Sequence, residues 1–262
     1  MLPGVYRAVK KDGTAYFRSS ITFQNKHISL GSFESEADAH AAYQKAGEIT
    51  GDETVTIEDY DSAQPLSFKK WVVLINYRDN GMYVKTPIYL KERFFYYYFA
   101  PEDYLIFDSD DLFYYSTHSI MRRGGHLFVA DFGMQVNILS RYGIKNFAVP
   151  GRDYEFINGN RADFRSVNIK VINNYHGVQK KETGTRTFFE TRIHIRGDVL
   201  VGRYRTEAEA AVAYNKAADT LRACGMGRDY PENYILELES EAYKKMYESV
   251  KIRTRALMKK AE

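Results

Sequence analysis

Leu30-Gly31-Ser32-Phe33-Glu34-Ser35-Glu36-Ala37-Asp38-Ala39 returns later in the chain as Val201-Gly202-Arg203-Tyr204-Arg205-Thr206-Glu207-Ala208-Glu209-Ala210. A matching helical segment follows each, Ala42-Tyr43-Gln44-Lys45-Ala46 against Ala213-Tyr214-Asn215-Lys216-Ala217, and upstream Gly4-Val5 answers Gly177-Val178. The spacing between these landmarks drifts by only a residue or two over about 45 residues, more agreement in residue type than chance sustains. The chain therefore carries two copies of one small module.

Both copies share a local grammar. Ser35-x-x-Asp38 and Thr206-x-x-Glu209 read as capping boxes, each satisfying the first free amides of a helix. Alanine-rich segments with Tyr43 or Tyr214 on one face follow at helical spacing. Before each helix, apolar and polar residues alternate. Phe17, Ser19, Ile21 and Phe23 fall on one face and Arg18, Ser20 and Thr22 on the other. In the second copy Phe189, Thr191, Ile193 and Ile195 oppose Glu190, Arg192, His194 and Arg196. That pattern predicts an antiparallel sheet with one face on the helix and one in solvent.

The 262 residues suit one large or two to three small domains, and 44% hydrophobic content is enough for real cores. The formal net charge is only +3, but it is unevenly placed. Residues 1–33 hold five cations against Asp12, a net +4, and residues 175–205 hold seven against three acids, again +4. The remainder must then sum to −5. Positive charge on two small sheets is the footprint of a phosphate-backbone partner, although a solvated sheet face has the same composition. The single cysteine, Cys224, excludes an internal disulfide and any zinc site needing several thiolates. No apolar run is long enough for a bilayer and no secretory start is present, so a soluble, intracellular setting with no membrane partner is expected.

The repeats resemble the apetala/ethylene-response-factor DNA-binding domain. The likeness rests on Gly-Val-Tyr-Arg at 4–7, an aromatic-x-Ser/Thr-x-Ile strand, Leu/Val-Gly-x-Phe/Tyr and the Ala-Ala-Tyr helix, and covers about 1–50 and 175–234. The resemblance implies a three-stranded sheet laid in the major groove, where base edges are distinguishable. Carried over by position, the groove-facing candidates are Tyr6, Lys10, Tyr16, Arg18, Ser20, Thr22, His27 and Ser29. In the second copy they are Gln179, Lys181, Phe188, Glu190, Arg192, His194 and Arg203. Arg192 is the candidate for guanine and Gln179 for adenine, while Lys10, Lys11, Lys26, Lys180 and Lys181 are candidates for positioning the phosphate backbone. Arg186 and Arg196 complete the basic set. Ala8, Ser20 and Thr22 stand where the family usually has long charged residues.

Between the copies lies an aromatic-rich segment, about 66–172, with the runs Phe94–Phe99 and Phe113–Tyr115 read as core and sheet. Its end, Tyr154-Glu155-Phe156-Ile157-Asn158-Gly159-Asn160-Arg161-Ala162-Asp163-Phe164-Arg165-Ser166-Val167-Asn168-Ile169-Lys170, is similar to the core of HNH homing endonucleases. That chemistry needs a histidine as general base and neighbouring metal ligands. Here Phe156 occupies the general-base position and Phe164 a further catalytic one, and phenylalanine neither accepts a proton nor binds a metal. No catalytic residue, metal site or cofactor is therefore assigned. His118 and His126 lie upstream without a carboxylate at ligand spacing, and Asp108, Asp110 and Asp111 form an acidic cluster, read as a solvated turn with magnesium binding the minor alternative. Arg122-Arg123-Gly124-Gly125 is a basic turn that touches phosphate or connects strands.

The expected fold is α+β: two small three-stranded antiparallel sheet-plus-helix modules flanking a degenerate HNH-like (ββα) central domain, with a C-terminal helix. The expected boundaries are 1–53, 66–172, 173–235 and 236–262. The expected function is a nuclease-dead, sequence-specific binder of double-stranded DNA that acts by occupying its site, as a transcriptional repressor or blocker. The alternatives are an active metal-dependent endonuclease and a protein-interaction module or nuclease inhibitor. The central or C-terminal segment is the candidate surface for a homodimer or protein partner. The resemblance implies a phage or mobile-element origin, and with it the bacterial cytoplasm or nucleoid.

Overall fold

A computed structural model of the chain describes residues 1–226 and 229–261; Gly227, Arg228 and Glu262, inside the expected second-module and C-terminal ranges, lie outside the described residues. The chain is α+β and divides into two compact units, Met1–Asn137 with Asn160–Asn168, and Ile138–Gly159 with Ile169–Glu262. The division falls inside the segment 66–172 rather than at its ends.

The first unit opens on the meander β1 (Val5–Val9), β2 (Ala15–Phe23) and β3 (Lys26–Phe33), followed by α1 (Glu36–Gly51). Gly4 explains the aromatic in the helix motif. Its φ is +74°, and a Cβ there would lie 2.1 Å from the ring of Tyr43, so only glycine admits both the turn and the ring. Ser35 caps α1 by accepting from the Asp38 amide at 3.0 Å. The expected reciprocal half is absent, because aspartate is one methylene shorter than glutamate and its carboxylate instead accepts from the Ser35 hydroxyl at 2.8 Å.

The module does not stop at residue 53. Ile28, Leu30, Ala42 and Ile49 share one core with Leu66, Trp71 and Leu74, the last two on α2 (Phe68–Asn80). The sheet β4 (Ile88–Leu90), β5 (Phe94–Ala100) and β6 (Asp103–Asp108) follows, then α3 (Leu112–Thr117) and the meander β7 (Ile120–Arg123), β8 (His126–Asp131) and β9 (Met134–Asn137). The aromatic runs are core and sheet: Phe95, Phe107 and Tyr115 are fully buried in mutual contact. The basic turn at Gly124-Gly125 joins β7 to β8 through two left-handed glycines, and Arg122 is held by Asp103 at 2.7 and 2.9 Å.

The second unit contains the hairpin β10 (Tyr154–Phe156) and β11 (Ile169–Val171), which falls within the stretch expected to hold a ββα core. The next element is a strand, not a helix: β12 (Val178–Thr183), β13 (Arg186–His194) and β14 (Asp198–Tyr204) form the second meander, closed by α4 (Glu207–Ala223). Gly177 repeats the first device, with φ +70° and a notional Cβ 2.3 Å from the Tyr214 ring. Here the capping box is complete, Thr206 and Glu209 each bonding the other's amide at 3.2 Å.

The C-terminal segment is two helices, α5 (Ser240–Ser249) and α6 (Thr254–Ala261), broken at Val250–Arg253. It packs on the second module. Leu257 and Val250 enter the same buried core as Ala217 and Leu221 of α4, and Lys216 donates to the carbonyls of Tyr247 at 2.7 Å and Val250 at 2.9 Å. Among the described residues no helix is long and apolar enough to cross a membrane.

Candidate nucleic-acid interface

The two meanders match residue for residue. Val5 pairs with Ser19 as Val178 pairs with Thr191, and Ser19 pairs with Gly31 as Thr191 pairs with Gly202. Each sheet then slips by one residue, leaving Leu30 or Val201 as the extra residue of a β-bulge. Both bulged residues are buried. The bulge carries the alternation past the glycine so that Ile28 and Leu30, or Val199 and Val201, all reach the helix side.

The face turned away from α1 carries Tyr6, Tyr16, Arg18, Thr22, His27 and Ser29, and Tyr6 is 55% exposed. Arg18 lies over the Tyr16 ring at 5.5 Å and donates to its hydroxyl at 2.7 Å. Lys10 and Lys11 are exposed at the β1–β2 turn. Two expectations for this sheet need correction. Ser20 is 8% exposed beside the bulge, where the Gly4 carbonyl accepts from its amide, so its hydroxyl is not presented as a reader. Lys26 alternates with Ile28 onto the helix side, and its ammonium sits over the Tyr83 ring at 5.2 Å.

The second outer face carries Gln179, Lys181, Arg186, Phe188, Glu190, Arg192, His194 and Arg203 by register. Its centre is an ion cluster. Glu190 is 5% exposed and accepts from Arg192 Nε at 2.8 Å and from Arg203 Nε at 3.1 Å, one arginine on each carboxylate oxygen. Burial pushes the carboxyl pKa up, but the two guanidinium hydrogen bonds and their charge outweigh it and hold Glu190 below the usual carboxylate range. Glu190 is thus a buried support for two arginines rather than an exposed reader. Arg203 also lies over the Phe188 ring at 5.4 Å. His194 is bound to Asp198 at 2.8 Å. Lys180 likewise departs from expectation: it alternates with Val178 onto the helix side and pairs with Glu182 at 3.0 Å. Arg196 is exposed in the β13–β14 turn.

Within residues 154–170, Phe164 is 4% exposed and stacks on Phe107 at 5.5 Å, a core position. Asp163 is fully buried and bound by Arg165 at 2.9 and 2.7 Å, and Asn168 donates to the Asp163 carbonyl at 2.8 Å. Asp108 accepts from the Ser166 amide at 2.7 Å. Phe156 is half-buried on β10, and Glu155 pairs with Lys170 across the hairpin at 2.8 Å. His118 does have a carboxylate beside it, Asp131 at 3.5 Å, which sequence spacing hid because the two meet through the fold of the meander. Among the described residues no group of three or more His, Cys, Asp or Glu is arranged to hold a metal.

One feature had no sequence signal. A cleft of about 550 Å³ in the second unit is lined in part by Gln179, Arg192 and His194 of the outer face and in part by Lys145, Phe147 and Tyr230. Its far wall is anchored by Asp153, 1% exposed, which accepts from the Val149 amide at 2.8 Å and pairs with Lys145 at 3.2 Å and Arg152 at 2.9 Å. The residues involved are scattered between Lys145 and Pro231 and share no spacing that a linear reading detects. No protein-family model, curated protein or solved structure matches the chain, so what it does rests on its own residues and geometry.

Proposed function

We propose that the chain binds double-stranded DNA sequence-specifically through the outer faces of its two sheets. It acts by occupying its sites, as a nuclease-dead relative of HNH homing endonucleases. The observation that carries the reading is the arginine pair on the second sheet. Glu190 takes one Nε from each of Arg192 and Arg203, and the two side chains remain 40% and 60% exposed. A guanidinium held by its Nε keeps its terminal N–H pair free to fork onto the O6 and N7 acceptors of guanine. Lys181 and Arg186 on the same face suit phosphate contacts.

The first sheet presents different chemistry, one arginine among hydroxyls and aromatics, so the two modules would read different sequences. Tethered on one chain, they would reinforce each other wherever the site spacing allows both to engage. The loss of cleavage rests on Phe164, which fills core space, and on Phe156, which cannot act as a base. Repression of transcription or blocking of another factor's site is the role that occupancy alone can fill.

The test is to incubate the protein with a fragmented genomic library, with and without magnesium or manganese, and to sequence both retained fragments and new ends. Intact fragments enriched for a shared site are expected in both conditions. Metal-dependent breaks at a fixed position would overturn the nuclease-dead reading. Retention that survives Arg18→Ala together with Arg192→Ala would move binding off the sheets.

A further inference from the structure

Groove reading leaves the cleft beside the second sheet unexplained. Three of its features are unusual for a structural crevice. Phe147 stands at its lip 90% exposed, with φ +63°, a left-handed conformation that a residue with a bulky side chain adopts only under constraint. The constraint is visible: buried Asp153 binds the Val149 amide two residues on, and Lys145, two residues before, ties to both Asp153 and the Tyr175 carbonyl. Tyr230, which lines the cleft, is 3% exposed and its hydroxyl has no hydrogen-bond partner among the described residues. A buried hydroxyl left unbonded is destabilising, and a ligand with a polar edge would satisfy it. The volume of about 550 Å³ lies within the range of small-ligand sites.

We propose that this cleft accepts a single unpaired or extruded nucleotide. Its base lies against the Phe147 ring, its polar edge meets the Tyr230 hydroxyl and the Asn146 amide, and its phosphate stays at the cleft mouth. An aromatic ring offers every base a stacking face, and polar groups deeper in a pocket read the hydrogen-bonding edge. The outer-face residues Gln179 and Arg192 are shared between the sheet and the cleft wall, so a strand held by the sheet would pass the cleft mouth. The inference rests in part on the proposed nucleic-acid binding, and a free nucleotide tests it independently.

Two measurements decide it. In the first, 2-aminopurine deoxyriboside monophosphate is titrated with the intact protein and its fluorescence followed. Saturable quenching is expected, weakened about tenfold in Phe147→Ala, as loss of one base–aromatic stack implies. Phe147 is exposed, so that variant should keep the wild-type melting temperature, and Tyr230→Phe should also weaken quenching while retaining the ring. In the second, affinities are compared for a fully paired duplex and the same duplex with one unpaired 2-aminopurine. Wild type should prefer the unpaired form about tenfold, and the ratio should collapse toward one in Phe147→Ala. Quenching without any duplex retention would keep the nucleotide site and sink the groove-reading proposal. Equal binding of both duplexes with no quenching would do the reverse. Quenching indifferent to Phe147 and Tyr230 would overturn the placement, and no signal in either measurement would overturn both ideas.

Discussion

Ser19 and Thr191 hold the same place in the two modules, opposite the bulge glycine and facing the helix. The Thr191 hydroxyl donates to the Ala210 carbonyl at 2.8 Å, whereas the Ser19 hydroxyl is buried with no partner among the described residues. One position therefore yields opposite expectations. Ser19→Ala should leave stability unchanged or raise it, since it removes an unsatisfied buried group. Thr191→Val keeps the shape and should cost about 0.5–1.5 kcal/mol, readable in a urea melt of the intact chain. Glu190 is the second residue whose role is local and measurable. Glu190→Gln should destabilise by about 1–2 kcal/mol at neutral pH, discounted because both arginine partners reach solvent. Its depressed carboxyl pKa sets the sign of the pH effect. That contribution is present above the ordinary glutamate value, about 4.3, and disappears as pH falls through it toward the lower folded value. The wild-type melting temperature should thus fall more steeply than the variant's across that window. Such a role was only partly legible: alternation placed Glu190 on the outer face with Arg192, but not Arg203 across the strand on the same carboxylate.

At the scale of elements, each module helix is tied to the helix that follows by a cation on free carbonyls. Arg78 of α2 donates to the Ile49 carbonyl at 2.9 Å and the Val55 carbonyl at 2.9 Å, closing the end of α1. Lys216 of α4 does the same for the end of α5. The carbonyls at a helix end lack intrahelical partners, and a positive charge there also suits the helix dipole. Lys216→Met keeps the stem and removes the ammonium, and should destabilise by about 1–2 kcal/mol with loss of helical signal confined to the C-terminal segment. Amide exchange in residues 240–250 is the direct readout. The module strands and helices were legible because alternation, capping residues and the glycine–tyrosine pairs all agree locally. The course of the middle segment was not, since its aromatic runs fit strand and core equally well. Nor did the apolar spacing of 237–259 disclose the break at Val250, which is set by packing of Val250 and Leu257 against α4.

At the scale of the whole molecule, the net charge of +3 conceals how many cations already have partners. Lys26, Lys180 and Arg122 are engaged with other groups, and the acids Glu190 and Asp198 sit on the second outer face itself. The net +4 counted for each module already includes those acids, but Lys26 and Lys180 stand on the helix side, so fewer cations face outward than the sequence count suggests. On the proposed DNA-binding reading, binding should weaken linearly in log salt with a slope of about −0.9 per phosphate neutralised. Arg186→Ala or Lys181→Ala should each reduce that slope by about 1 with little change in preferred sequence. Arg192→Ala should instead relax the choice of base. A filter-binding series in increasing potassium chloride separates the two outcomes.

The matched bulge at Leu30 and Val201 has an evolutionary consequence. Registration of each sheet is fixed from inside, by a buried bulge residue, a glycine under a tyrosine ring and a helix cap, none of which lies on the outer face. Apart from Glu190, the outer positions take little part in that registration, which is how Tyr6 and Gln179, Tyr16 and Phe188, or Ser20 and Arg192 can occupy equivalent sites. A duplicated copy of such a unit is a blank tablet as soon as it is made, rewritable one letter at a time without the page buckling.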